Sequence, residues 1–397
     1  MSRRSHLRRP TPAWALGLAT ACLVFLVVES ASSLALHVLE ARGILYRTIS
    51  LSLSHSQRET LAHVASRGEV YLDHDAELGW SPRPLGHSEL YRANAAGLRA
   101  EREYPLVPPA GIARIAAFGD SYTHGDWVAF GDTWEARAET RLPAAEILNF
   151  GVSGYGLDQA YLRYLHLGRR YGAKVVLIGF MSGDYARVTS TFRLFNYHDS
   201  QIPFAKPRFR LENGALTLLP NPMQRPEDYA RLLDGGAALA QLGANDFEYQ
   251  RRIPESPLDV LATVRALRLA WQRWQAPPQS PPLQENGLYN PASEAFALNV
   301  ALVDAFVAAV RADGARPLVV FFPGADALRK DPPPAYEPLR STLEERGVPT
   351  FDTYPAVREA DAESHDPPLY RIGHFSARGN DVVAAALAPR LAALAQR

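Results

Sequence analysis

The sequence predicts an α/β fold: three layers, α/β/α, around a five-stranded parallel sheet, with an N-terminal transmembrane helix and a large insertion after the third strand. Three observations carry that prediction: the short apolar runs, the helical stretches between them and the N-terminal run. Short apolar runs of buried-strand type alternate with helical stretches of ten or more residues, the pattern of a sheet covered on both faces. A third observation sets the N-terminus apart: Pro10 to Val28 is a 19-residue run without a charge, about the length that crosses a bilayer as a helix. At 397 residues, 47% hydrophobic and 21% charged, the chain is neither disordered, fibrous nor a disulfide mini-protein. Lys+Arg and Asp+Glu are both 42, which gives no global electrostatic case for nucleic acid. Only three residues are Lys, so the basic charge is almost all Arg. The single cysteine, Cys22, excludes an internal disulfide and a cysteine-based zinc site.

The elements follow in order. Residues 1–9 hold four Arg and read as a cytoplasmic tail; residues 10–38 read as an anchor or a signal. The run is long for a cleaved signal core, which favours an uncleaved single-pass anchor in a bacterial inner membrane with the rest of the chain in the periplasm. The alternative is secretion after cleavage near Ser30-Ala31-Ser32-Ser33. A lipoprotein reading at Cys22 is weak, because apolar residues follow it. Residues 39–110 form a juxtamembrane and N-terminal extension, helical over 39–67 and then strand-like in short pieces. The core begins in 111–184 with a strand at Ile112–Phe118, a helix through Trp134–Leu142, a strand at Ile147–Phe150, a helix at Leu157–Tyr171 and a strand at Val175–Phe180. Residues 185–290 interrupt the alternation. They contain Asn213-Gly214, a strong hairpin signal, and end in a Pro-rich stretch. By topology this insertion lies over the site edge, as a lid, a substrate platform or plain packing. Residues 291–397 resume with a helix at Glu294–Arg311, a strand at Pro317–Phe322, a helix at Tyr336–Arg346, a strand at Pro349–Phe351 and a last helix at Ser376–Leu394.

The chemistry centres on Gly119-Asp120-Ser121, directly after the first strand, and on His374 just before the last helix. Parallel sheets bind ligands at the carboxyl ends of their strands. A serine there needs a base within hydrogen-bond reach, and histidine titrates in the useful range. The first strand is central in such a sheet, so its end and the loop before the last helix can meet.

With Gly119-Asp120-Ser121, then Asn149-Phe150-Gly151-Val152-Ser153-Gly154, then Gly373-His374-Phe375-Ser376, the sequence resembles the SGNH (GDSL-type) hydrolases, as a membrane-anchored exported member. The resemblance covers roughly residues 111–184 and 291–397. It implies a flavodoxin-like sheet, Ser121 as nucleophile, His374 as base, and an oxyanion hole from the backbone N–H groups of Ser121 and Gly154. Two positions depart from the pattern. Gly183 stands where the family's third block has an Asn completing the oxyanion hole, and offers only a backbone N–H. Arg371 stands where the triad acid is expected, three residues before His374. Asp366 and Asp184 are the candidate replacements; a Ser-His dyad oriented by a backbone carbonyl is equally open. A literal GxND at Gly243-Ala244-Asn245-Asp246 follows no strand and reads as chance, although a lid could deliver Asn245.

The remaining conspicuous residues have plain readings. Asp120 bonds backbone in its turn. His124 is a loop residue. Trp127, Trp134, Trp271 and Trp274 read as core, with sugar platforms as the alternative. Arg187, Arg193 and Lys206-Pro207-Arg208 are solvated surface, or else hold an anionic substrate. His365, Asp366 and His374 are too isolated for a metal, and no cofactor is implied. Three functions remain open: a serine esterase removing acyl, chiefly acetyl, groups from a cell-envelope or extracellular glycan; an O-acetyltransferase working on an exopolysaccharide beside envelope polysaccharide machinery; and a degenerate SGNH domain that binds glycan without chemistry.

Overall fold

A computed structural model describes residues 13–41, 53, 55–66, 71–197, 200–233, 236–251, 256–275, 281–329 and 334–396. The Arg-rich tail, residues 42–52 of the juxtamembrane stretch and most of the Pro-rich stretch lie outside them. The chain divides into two compact units, residues 1–51 with 249–279, and residues 52–248 with 280–397.

In the second unit five strands form one sheet: β1 (Ala113–Phe118), β2 (Ala145–Asn149), β3 (Val175–Met181), β4 (Arg316–Phe322) and β5 (Thr350–Asp352). Every pairing is parallel, in the spatial order β5-β4-β3-β1-β2. This is the five-stranded doubly wound sheet that the alternation predicts. The strands are near-continuous apolar runs because both faces are covered. Ile115 and Ala117 share one buried cluster with Trp134 and Ala138 of α3 (Trp134–Thr140) and with Val383 and Leu387 of α7 (Ala377–Gln396). On the opposite face the Phe118 ring stacks edge-on with Tyr164 of α4 (Leu157–His166) and Phe306 of α6 (Glu294–Ala312). The helix expected to reach Tyr171 stops at His166. It gives way to a 3-10 turn at Gly168, where a Cβ would lie 2.2 Å from the Phe118 ring. A helix at Tyr354–Glu363 was not expected.

The extension contributes an antiparallel hairpin, Leu72–Asp75 with Gly79–Pro82. Within the insertion, Arg208–Glu212 pairs with Ala215–Leu219 across Asn213-Gly214, both at positive φ (53° and 81°), the turn that Asn-Gly favours. The first unit holds α1 (Ala13–Ala41), which is long and apolar enough to cross a membrane and is almost entirely exposed, and α5 (Ala262–Gln275). Helix α6 passes the same length and composition test but is half buried beneath the sheet.

Candidate active site

The order of the strands reverses between β1 and β3, and in a doubly wound sheet the crevice at that switch point is where ligands bind. Ser121 opens a four-residue helix, α2 (Ser121–His124), immediately beyond β1. Asp120 caps it, its Oδ1 accepting from Tyr122 N at 2.9 Å, and Gly125 closes it at φ 74°. Asn149, at the end of β2, donates from Nδ2 to the Thr123 carbonyl at 2.6 Å and accepts at Oδ1 from Gly151 N at 2.9 Å. One side chain thus fixes the serine turn against the Gly151–Gly154 loop. The approach is so close that a Cβ on Gly151 would lie 2.3 Å from His124 N.

His374 reaches this turn from the far end of the chain. Its Nε2 lies 2.8 Å from Ser121 Oγ and its Nδ1 3.1 Å from the Ile372 carbonyl. A carbonyl only accepts, so Nδ1 carries the proton and Nε2 presents its lone pair to the serine hydroxyl. The histidine sits one residue past a two-residue turn in which Ile372 and Gly373 have φ of 49° and 77°. Tyr122 Oη donates to the Gly373 carbonyl at 2.7 Å, tying that turn to α2. Asn380 bonds Phe375 O and Ser376 O from Nδ2, and accepts from Trp134 N at 3.1 Å.

With Ser121 and the Ile372 carbonyl on the two ring nitrogens, neither candidate acid bonds the imidazole. Asp366 is exposed, its backbone N donating to Ser364 Oγ at 3.2 Å. Asp184 is buried at the end of β3, where its Oδ1 accepts from Arg187 at 2.5 Å and its Oδ2 from Met181 N at 3.1 Å. Burial and the neighbouring Asp120 carboxylate push Asp184 well above the usual carboxylate range, against the pull of Arg187. Arg187 also donates to Asp120 Oδ2 at 3.1 Å and to the Tyr155 carbonyl at 2.7 Å. Ser121 Oγ lies 3.2 Å from the same Asp120 oxygen, farther than from His374. Arg371 is exposed and pairs across the hairpin with His374.

The oxyanion-hole candidates are placed differently from one another. Gly154 has φ 80°, and a Cβ there would meet Arg193 Nε at 3.3 Å, Ile202 Cδ1 at 3.3 Å and Trp80 Cζ2 at 3.5 Å. Gly183 turns its N–H onto Met181 Sδ at 2.7 Å, so that N–H is already engaged. Arg193 and Ile202 both come from the insertion, which therefore reaches the site on the Gly154 side. The Arg193 Nε is buried without a hydrogen-bond partner. Burial and the charge of Arg187 lower the Arg193 guanidinium to about 9, partly offset by Asp184 and Asp120.

Several plain readings change. His124 is fully buried in α2, not in a loop. Its Nδ1 meets Asp126 Oδ1 at 2.5 Å and its Nε2 meets Tyr71 Oη at 2.8 Å. Burial and the nearby Arg99 charge hold His124 below its usual range. Asp126, which the sequence did not single out, also accepts from Ser153 Oγ at 2.7 Å. Burial works to raise it, but His124, His374 and the Ser153 hydroxyl together hold it low. Trp134 is core, whereas Trp127, Trp271 and Trp274 are exposed. Arg187, Lys206 and Arg208 are buried ion-pair partners of Asp120 and Asp184, of Asp158 and of Glu294, not solvated surface. The Asn245 side chain is taken up by Arg210 of the insertion hairpin.

No protein-family model matches the sequence, and no curated protein matches it. Among solved structures the chain is similar to the lipase/acylhydrolase from Enterococcus faecalis, at 11% identity and a TM-score of 0.36 over 71% of this chain and 96% of that one. It is also similar to a GDSL-like lipase from Bacteroides thetaiotaomicron, at 11% identity and a TM-score of 0.34 over 70% and 87%. The acetyl xylan esterase AlAXEase shows the same identity, 11%, with a TM-score of 0.35 over 70% and 99%.

Proposed function

We propose that the chain is a serine carboxylic-ester hydrolase, acting outside the cytoplasm on acyl, chiefly acetyl, esters of a cell-envelope or extracellular glycan, and held at the membrane by α1. The observation that carries the reading is the Ser121 hydroxyl 2.8 Å from the free nitrogen of a histidine whose other nitrogen is fixed by a carbonyl. In the proposed reaction Ser121 Oγ attacks the ester carbonyl as His374 Nε2 takes its proton. The oxyanion forms against the N–H groups of Ser121 and Gly154, with the Arg193 charge on the Gly154 side in place of the missing Asn. Collapse breaks the ester bond, and the imidazolium returns its proton to the leaving alcohol. Water, deprotonated by the same nitrogen, then releases the acid and restores Ser121. The Ile372 carbonyl orients the imidazole but, being neutral, compensates the imidazolium less than a carboxylate does.

The test is fluorophosphonate labelling of the full chain, read by intact mass, beside Ser121→Ala. One adduct, lost in the variant, is the expected result. Folded protein that takes no adduct sinks the reading in favour of a glycan-binding domain without chemistry. Where labelling succeeds, release of acetate with and without a glycan acceptor separates hydrolysis from transfer, since both pass through one acyl-enzyme.

A further inference from the structure

The first unit contains a feature that the esterase reading does not use. Glu29, the charge that ends the apolar run of α1, has its carboxylate on the first N–H groups of α5: Oε1 accepts from Ala262 N, and Oε2 from Thr263 N at 3.2 Å. Thr263 Oγ1 donates to Ser32 Oγ at 3.1 Å. Leu269 packs with Leu36, and Ala262 and Ala266 join them. The contact therefore advances by seven residues on both helices, from Glu29 to Leu36 and from Ala262 to Leu269, so α5 runs beside α1 in the same direction.

A carboxylate inside a membrane helix is costly unless it is paired or hydrogen-bonded. The N-terminus of a helix is a fitting partner, with unpaired donors and a partial positive charge. Glu29 and the start of α5 each satisfy a need of the other, which gives α5 a place at the depth of Glu29.

The rest of α5 has two further faces. At about 100° per residue, Leu267, Trp271 and Trp274 share a stripe roughly a third of a turn from the one that packs on α1. They are 65%, 57% and 72% exposed, and the two indole rings lie 4.9 Å apart. Arg265 and Arg268 occupy the remaining face, Arg268 pairing with Asp259 at 2.5 Å. An exposed Leu and two Trp beside the α1 contact, with arginines on a separate face, give a helix that runs along α1 a side suited to lipid at the level where it leaves the bilayer. The depth agrees. From Ala13, Glu29 lies about 24 Å along α1, at about 1.5 Å per residue, inside the outer edge of a hydrocarbon core about 30 Å thick. Leu267 is then close to that edge and Trp271 about 8 Å beyond it, at the outer limit of the headgroups, where tryptophan is enriched, while Trp274 lies about 12 Å beyond it, at the water side.

We infer that α5 is a membrane-interface helix. It docks on α1, and Leu267 and Trp271 insert among the lipids of the leaflet that α1 exits, with Trp274 beside them at the outer rim of the headgroups. This rests on reading α1 as a span retained in the finished protein, and it gives the insertion a role in anchoring.

The experiment uses the full chain in nanodiscs of phosphatidylethanolamine and phosphatidylglycerol, with and without brominated acyl chains, which quench nearby indoles. Trp14, at the start of α1, is replaced by Phe to remove its signal. Quenching that disappears in Trp271→Phe/Trp274→Phe is the expected result. If brominated lipid dims the Trp14→Phe chain no more than the triple variant, the proposal is overturned. Trp14 itself reports the anchor in the chain that keeps it. Quenching of Trp14 with none at Trp271 and Trp274 overturns the insertion of α5 and leaves the span standing, and no quenching at any of the three overturns the span as well. Circular dichroism of each variant confirms that it is folded.

Discussion

His374 Nε2 lies 2.8 Å from Ser121 Oγ across 253 residues of chain, with the Ile372 carbonyl on its other ring nitrogen. The pairing exists because β1 is central in the sheet and α7 returns the last loop to its carboxyl edge. If the pair works as base and nucleophile, His374→Gln lowers kcat/KM on an aryl acetate by about 10²–10⁴, the usual contribution of a positioned general base. Ser121→Ala removes the burst of acyl-enzyme entirely. The check is steady-state and burst kinetics on purified full-length chain; a His374→Gln variant within threefold of the parent would exclude the dyad.

The Ile372 carbonyl makes a second prediction. Asp366 is exposed and bonds its own loop, so Asp366→Asn leaves kcat/KM within about twofold, a change of less than roughly 0.5 kcal/mol in the barrier. A drop of a hundredfold would mean that Asp366 swings onto His374 Nδ1 when substrate binds. The pH–rate profiles of parent and variant then separate an orienting acid from a loop residue, because a carboxylate on Nδ1 raises the apparent pKa of the imidazole.

The sheet was legible because each strand is a short apolar run between turn signals, and the observed boundaries differ from the expected ones by a residue or two. The Ser121 and His374 turns were legible as motifs. The orienting carbonyl was not, since it depends on Ile372 adopting a positive φ, which no local signal in a β-branched residue announces. Charges were misread for a related reason. Lys206 and Arg208 look like surface until Asp158 and Glu294, distant in sequence, are seen to meet them. His124 and Asp126 are two residues apart, but the pocket that buries them is closed by Tyr71 and Tyr91 of the extension. The stripe of Leu267, Trp271 and Trp274 was present in the spacing, yet it acquires meaning only beside α1.

Arg193 and Gly183 carry a paired prediction. Arg193 holds an unpartnered guanidinium nitrogen against Gly154, while the Gly183 N–H is committed to Met181. On a neutral ester Arg193→Met therefore lowers kcat by about tenfold or more, toward the 10²–10³ of a lost oxyanion donor, with little change in KM. Gly183 has φ −78°, which any residue adopts, and a Cβ there would press only on the end of the flexible Met181 side chain. Gly183→Asn should thus fold and recover part of the loss in the Arg193→Met background. An effect confined to KM for anionic esters would instead assign Arg193 to substrate binding.

Glu135 yields a prediction about stability. It is buried at the start of α3, where its own backbone N–H and the Thr133 hydroxyl approach the carboxylate without reaching full hydrogen-bond geometry. Burial pushes its pKa well above the usual range, against its own backbone N–H, the charge of Arg99 and the Thr133 hydroxyl. The sign follows from linkage. Between the unfolded pKa, near 4.5, and the higher folded one, the native state holds more protons than the unfolded state. Raising the pH through that window therefore costs stability, and lowering it restores stability. Glu135→Gln keeps the shape and removes the titration. The variant should melt at nearly the parent's temperature at the acid end of the window and above it at pH 8, with the gap widening as the pH rises. Thermal melts across that range are the check, and two parallel curves would show that the Glu135 carboxyl finds a partner or water when it ionises.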